Sequence, residues 1–476
     1  MPYNFIKCDR DQLYLLPPSL KDWLPEGDLA WFIIDATSQM DLKEFYEKYR
    51  ADGWGRAAFE PTMMVNLLLY AYCLGNRSSR KIERLCERDI GFRVITGGKI
   101  PDHTTIARFR QDSNENLERL FTKVLKLCAE AGLVRVGVVA LDGTKMGVNA
   151  TLAANRGSAS IEEEVKKMLR EAQEVDEEED RLYGPNWRGD ELPAELQNRS
   201  SRLARLKECQ ERLEREAKEA AQAKEAKLKV RAAEEETTNK KRRGRKPKSS
   251  QEVRKDKEAK ARANITDPDS RIMKTRKGYL QGYNAQVVVT EDQIIIAAEV
   301  TNKENDVHQL TPMLKAAQDN LRLIGSKQKI KKGVADAGYF SEENLTEGDP
   351  ERPELFIATT KDWKQRKAMR DKPGPWGRIP ANLSSHKKME RKLLTRRGQA
   401  IYKKRGQMVE PVFGQIKEGR DLEQFMRRGE DACDSEWKLI CATHNLLKLW
   451  RHLTDTVKQV RYQPIANREA RALTVA

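Results

Sequence analysis

The chain has 476 residues, 89 Lys and Arg against 73 Asp and Glu, a formal net charge of +16 and a pI near 9.3. That length allows two or three domains with a sizeable core, and that charge favours a polyanionic partner, nucleic acid before an anionic membrane surface. No stretch reaches the roughly 20 apolar residues of a membrane span, the N-terminus lacks a signal-peptide layout, and the seven scattered cysteines indicate neither a zinc site nor a disulfide framework, which suits a reducing cytoplasm.

Residues 1–135 read as helical. Leu29 to Ile34 and Met63 to Tyr72 are apolar segments, the second long enough for a buried helix. Arg77 to Leu85, a Gly97-Gly98 break, and Pro101 to Arg110 with an N-cap at Asp102 follow. Helix, break and helix, with Thr104, Arg108 and Arg110 on the last element, suits a helix-turn-helix DNA reader; any small helical bundle shows the same pattern.

Residues 136–148 run as a strand. From 157 to 263 the composition turns to Glu, Lys, Arg and Ala. Ile161, Val165, Met168, Ala172 and Val175 repeat at helical spacing, as do Leu203, Leu206, Leu213, Ala217 and Ala220. A long helical hairpin is expected there, with a charged, partly disordered insert as the competing reading. The insert ends in Lys240 to Lys248, whose Arg243-Gly244-Arg245 core is similar to an AT-hook reaching into a narrow minor groove; a plain basic linker reads the same way.

From residue 264 the pattern is α/β. Strands are expected over Tyr283 to Val289 and Gln293 to Val300, a helix over Asp306 to Leu323, and strands over Ile330 to Ala335 and Leu355 to Thr359. Residues 361–428 hold 20 Lys and Arg against 7 Asp and Glu, and an apolar helix from Trp437 to Trp450 closes the core. Asp267 and Asp269 read first as turn residues and second as contacts to a metal site, His444 as a packed histidine, and Lys274, Arg276 and Lys277 as DNA-backbone contacts or plain surface. Trp363 and Trp376 read first as packing residues and second as platforms for an unpaired base.

Three carboxylates stand out. Asp142 ends the run Val139-Ala140-Leu141, Asp336 ends Val334-Ala335, and Glu410 lies in Val409-Glu410-Pro411-Val412. Each alone is an ordinary turn or helix residue. Brought together they repel unless a divalent cation neutralises them, and an all-oxygen set favours Mg²⁺ or Mn²⁺ over zinc. Strand, hairpin, helix and strand, with Asp on the first and last strands, is the layout of an RNase H-like domain. The expected architecture is therefore an α/β RNase H-like domain (136–156 and 264–455) with an all-α N-terminal domain (1–135), a helical insert (157–263) and a tail (456–476).

These strings, together with Asp267 to Arg271, Lys277 to Gln286 and His444 to Arg451, resemble bacterial insertion-sequence transposases of the DDE class over nearly the whole chain. The resemblance implies Asp142, Asp336 and Glu410 as catalytic, metal-holding residues. Tyr402, Arg405, Glu410 and Lys417 match the residue types of a signature that the family carries on its last catalytic helix, although Arg405 to Glu410 is one residue longer than the common form. It also implies Mg²⁺-dependent cleavage and joining of double-stranded DNA at terminal inverted repeats, a homodimer on DNA, and a place with the bacterial nucleoid. A nuclease that cuts without joining, and a non-catalytic DNA-binding relic, are the alternatives.

Overall fold

The structure, a computed structural model, describes residues 19–49, 57–167, 194–238, 247–275, 278–345, 352–360, 367, 371, 374–380 and 382–461. Arg243, Arg245, Arg276, Lys277 and Trp363, and the helical positions Met168, Ala172 and Val175, lie outside the described residues.

The helical front forms as its local signals dictate. Helix α1 (Leu29–Ser38) starts at Asp28, whose carboxylate accepts the Ala30 N–H at 2.8 Å. Helix α2 (Pro61–Cys73) has Pro in its first turn, where a missing N–H costs nothing, and is buried along nearly its whole length. The region read as helix, break and helix holds three helices: α3 (Ser79–Arg88), α4 (Ile90–Thr96) and α5 (His103–Asp112). Gly97, at φ 58° in the left-handed region, stops α4. Asp102 caps α5 by accepting from the Thr104 and Thr105 N–H groups. Helix α6 (Asn114–Glu130) then leads to the sheet.

Strand β1 (Val138–Gly147) and the short β2 (Asn155–Gly157) precede the insert. The insert contributes α7 (Ala194–Thr238) and α8 (Ser250–Lys260), which pack together, and β3 (Arg262–Asn264), which pairs with β2. Ile161 and Val165, on a helical stretch over 158–167, close a small separate core with Leu206, Cys209 and Leu213 of α7. At about 1.5 Å per residue, the 45 residues of α7 span roughly 67 Å.

Strands β4 (Arg271–Thr275), β5 (Gly278–Thr290), β6 (Ile295–Thr301), β7 (Lys332–Ala335) and β8 (Glu354–Ile357) join β1 in one mixed sheet. Its order is β6-β5-β1-β7-β8, with β4 also pairing along the first part of β5. The β1–β5, β5–β6 and β4–β5 pairs are antiparallel; β1–β7 and β7–β8 are parallel. Helices α9 (Leu310–Leu323), α11 (Arg396–Lys417) and α12 (Glu430–Arg461) cover the sheet, and α10 (Ser385–Leu394) packs against β8 and α11. Helix α12 runs well beyond the apolar span Trp437 to Trp450. Its first turns are polar, so an apolar pattern misses them, yet they dock on β6 by hydrogen bonds: Val300 N–H donates to Asp434 at 2.7 Å, and Asn302 Nδ2 to Glu430 at 2.8 Å.

The helical front does not stand apart from this sheet. Helices α2 and α6 pack along α12, and one continuous core runs from Leu29 through β1, β5 and α12. Buried polar groups tie the same junction. Tyr72 of α2 accepts from Arg110 at 3.1 Å, and the Arg420 guanidinium donates to Thr443 of α12 at 2.8 Å. At Gly75, with φ 75°, an added Cβ would stand 2.3 Å from the Arg420 carbonyl oxygen. Gly75→Ala is expected to destabilise the protein by about 2 kcal/mol through backbone strain and displacement of that contact. Urea unfolding measures it, and an unchanged midpoint would show that the two loops do not meet there. Among the described residues no helix is long and apolar enough to cross a membrane, and the six described cysteines are buried free thiols.

Candidate active site

The parallel register of β1 and β7 runs to Leu141 beside Ala335, so Asp142, inside β1, and Asp336, just past the end of β7, stand at one level. Asp142 does not end its strand, which runs on to Gly147 paired with β5. Asp142 accepts the Gly143 N–H on Oδ1 at 3.0 Å and Arg405 Nη2 on Oδ2 at 2.6 Å. Asp336 caps a short turn, Ala337–Tyr339, by accepting the Gly338 N–H at 2.7 Å. Burial raises the Asp142 carboxyl to about 7; Arg405 opposes that shift, while Asp336 and Asp306 add to it.

Glu410 comes from α11. Pro411 inside that helix leaves the Gln407 carbonyl without its usual donor, and Gln293 Nε2 supplies one at 2.9 Å. The helix turns Met408, Val409, Val412 and Ile416 into the core, so Glu410 falls on the exposed rim. Its carboxylate folds back over Gly406, 3.5 Å from where a Cβ would stand. Arg405, one turn earlier, has Asp142, Asp336 and Glu410 as electrostatic neighbours. Arg405 pairs directly with Asp142, and Asp336 and Glu410 act on it electrostatically. Among the described residues no three Asp, Glu, His or Cys side chains are spaced to hold a metal ion as they stand. In kind the residues do suit a hard divalent cation. The donors are all oxygen, and the buried Asp142 carboxyl carries an electrostatic cost that a cation would relieve.

The remaining expected residues fall into two groups. Lys417 donates to the Lys145 carbonyl at 2.9 Å, pinning the end of α11 to β1 beside the site, and Tyr402 lies partly buried on the same helix. Thr104 and Arg108 are exposed on α5 and line a groove with Ser78, Arg80 and His103. Arg110 is turned inward, donating to Tyr72 and to the Arg77 carbonyl at 2.9 Å. Asp267 and Ser270 form the expected turn, but Asp267 is fully buried and also accepts from Tyr283 at 2.9 Å. Lys274 sits on β4 opposite Tyr279. Trp376 is 88% exposed, against the packing its sequence context favours, and its carbonyl accepts from Arg391 at 2.6 Å.

Sequence reasoning missed a second polar layer. Asn284 and Gln286 of β5 lie opposite Lys145 and Gly143, and both donate to Asp306 Oδ1, at 2.7 and 2.8 Å. Tyr339, buried and with a hydroxyl pKa pushed far up by burial and nearby carboxylates, donates to Gln286. The available signal was two amides, two residues apart, on one face of an otherwise apolar strand.

Residues 18–112 match a family described as a transposase domain (DUF772), and residues 377–450 match one described as a transposase DDE domain. Neither the curated proteins nor the solved structures compared with the chain gave a match.

Proposed function

The chain belongs with the insertion-sequence transposases of the DDE class, and on that premise we propose that it cuts DNA at the terminal inverted repeats of its element and joins the ends to target DNA. The observation that carries this reading is the placement of Asp142 and Asp336 at one level on adjacent parallel strands, with α11 bringing Arg405 and Glu410 to the same edge. The strand order β6-β5-β1-β7-β8, three antiparallel strands followed by two parallel ones, supports an RNase H-like catalytic domain.

Asp142, Asp336 and Glu410 would hold Mg²⁺ or Mn²⁺, which activates an attacking oxygen and stabilises a leaving one in in-line displacement at phosphorus. The chain's own residues supply the rest. Arg405 pairs with the partly buried Asp142 carboxylate and would hold its charge in the site. Lys417, beside β1, is placed to meet a DNA phosphate near the scissile bond. The exposed Thr104 and Arg108, with Arg80, offer a face for duplex DNA at the helical front, where affinity falls steeply with salt. Two DNA ends need two active sites, so a homodimer on DNA is part of the proposal, with α7 as a candidate arm.

The test is a labelled duplex carrying the flanking inverted repeat, incubated with wild type or Glu410→Gln and with Mg²⁺ or Mn²⁺. Metal-dependent cutting and joining, both lost in the variant, is the expected result. Cutting without joining would make the protein a nuclease, and salt-sensitive binding with no cutting by wild type would leave only a DNA-binding relic.

A further inference from the structure

Asp306 lies just before α9, outside the expected triad, yet it is one of the most tightly held carboxylates near the site. Its Oδ1 receives two amide bonds, from Asn284 at 2.7 Å and Gln286 at 2.8 Å, and Lys145 Nζ stands 3.6 Å away. Its Oδ2 is turned toward Gly338. A Cβ built there would be 3.0 Å from Asp306 Oδ2 and 2.8 Å from Asp336 Oδ1. The two carboxylates therefore share a small space that stays open because residue 338 has no side chain. Successive residues of a strand face opposite sides, so Asp142 and Gly143 look to different faces of the sheet. Asp306 reaches Asp336 past the end of β7, from the face of Gly143.

A cluster of carboxylates is not by itself a site, but a second observation bears on this one. Asn284 is fully buried. Its Nδ2 is committed to two acceptors, Asp306 and the Lys303 carbonyl at 3.2 Å, which fixes which end of the amide is oxygen. That Oδ1 has no hydrogen-bond donor among the described residues. It sits 2.8 Å from where a Gly143 Cβ would be, beside Gln286 Nε2 at 2.1 Å from the same point. A buried amide oxygen without a donor is destabilising. A water carried by a hard cation is a donor that would satisfy it, since Mg²⁺ keeps several of its waters.

We propose that Asp306 is a fourth carboxylate of the active site: it binds a divalent cation jointly with Asp336 across Gly338, and Asn284 and Gln286 are the fork that holds it in place. This rests on the transposase reading and adds a ligand to it. Gly143 has a matching part, because any side chain there would push the Gln286 amide off Asp306.

Mn²⁺ binding to the full chain without DNA, followed by electron paramagnetic resonance, tests the assignment. Asp306→Asn is expected to weaken binding at least tenfold, as is Asp336→Asn. Gly338→Ala, which fills the shared space while keeping both carboxylates, is expected to do the same, and it stands in if Asp306→Asn does not fold. Unfolding temperature without metal checks that each variant is folded. A loss in Asp336→Asn with wild-type binding in folded Asp306→Asn and Gly338→Ala would overturn the assignment and leave the catalytic reading intact. No Mn²⁺ binding by wild type would overturn both.

Discussion

Asp142→Asn is expected to lower DNA cleavage by on the order of 10³-fold or more while duplex binding persists. The substitution keeps the side chain's size and one oxygen to accept from Arg405, at the loss of the acceptor for the Gly143 N–H. What it removes is the negative charge at the most enclosed position of the site, 19% exposed. A cation there supplies several kcal/mol of stabilisation to the charge that develops in the transition state. Each 1.36 kcal/mol is a factor of about ten in rate, which gives the expected loss. The DNA-facing groups proposed on α5 lie on another part of the surface and are untouched. Single-turnover cleavage of a repeat-end duplex in Mg²⁺, beside a binding titration at matched salt, measures both quantities. Cleavage within tenfold of wild type would remove Asp142 from the site, and loss of binding together with cleavage would mean that the residue acts through the fold.

How far this site was legible in the sequence follows from how each residue gets there. Asp142 and Asp336 were noticed because each directly follows an apolar run; Asp336 does follow its strand, whereas Asp142 lies inside β1 and meets it through the parallel register. Glu410 stood out only as a carboxylate inside an amphipathic run, and the resemblance added its role. Its helix was plain, but whether it faces the core depends on phase, and the phase puts Val409 inward and Glu410 on the rim. The Arg405–Asp142 ion pair joins residues 263 apart in the chain, and no local pattern announces it. Asn284, Gln286 and Asp306 were passed over because their meaning lies in the β1–β5 register, which sets Gly143 opposite Gln286. The same register lets Gly282 approach β1 so closely that a Cβ would stand 1.9 Å from the Met146 carbonyl oxygen. The insert was visible as a change of composition, and its small core holds only a few Ile, Val, Leu, Cys and Ala positions. In the helical front, three helices stand where helix, break and helix was read, and they pack on the rest of the chain. The front's apolar faces were visible and their partner, α12, was not, because that partner lies more than 300 residues away.

Stability should fall steeply in mild acid because of His444. The ring is buried in α12, and its Nε2 donates to the Gln293 carbonyl at 3.0 Å. Gln293 itself holds φ 62°, in the left-handed region, and is tied by its side chain to the Gln407 carbonyl and to Lys448. His444 is thus the pin of the β5–β6 turn against α11 and α12. Burial lowers its pKa from 6.5 to about 3, with Arg420, Lys448 and Arg451 adding repulsion and the bond to Gln293 opposing them. The sign follows from linkage. A depressed pKa means that the fold prefers the neutral ring, so the contribution is complete above the unfolded value of 6.5. It is lost as the pH falls from there towards 3, because the unfolded chain takes up the proton first. Between pH 7 and pH 4 the loss from this one group is about 3 kcal/mol, at 1.36 kcal/mol per pKa unit. His444→Gln keeps an N–H for Gln293 and cannot titrate. Buried carboxylates such as Asp434 and Glu436, whose pKa values are raised by burial, respond in the opposite sense but are common to both proteins. Urea unfolding of the two proteins at pH 7 and pH 4 should therefore show wild type losing about 3 kcal/mol more than the variant. Parallel losses would mean that the ring is already hydrated or charged in the folded state, and that something other than neutral His444 holds the turn.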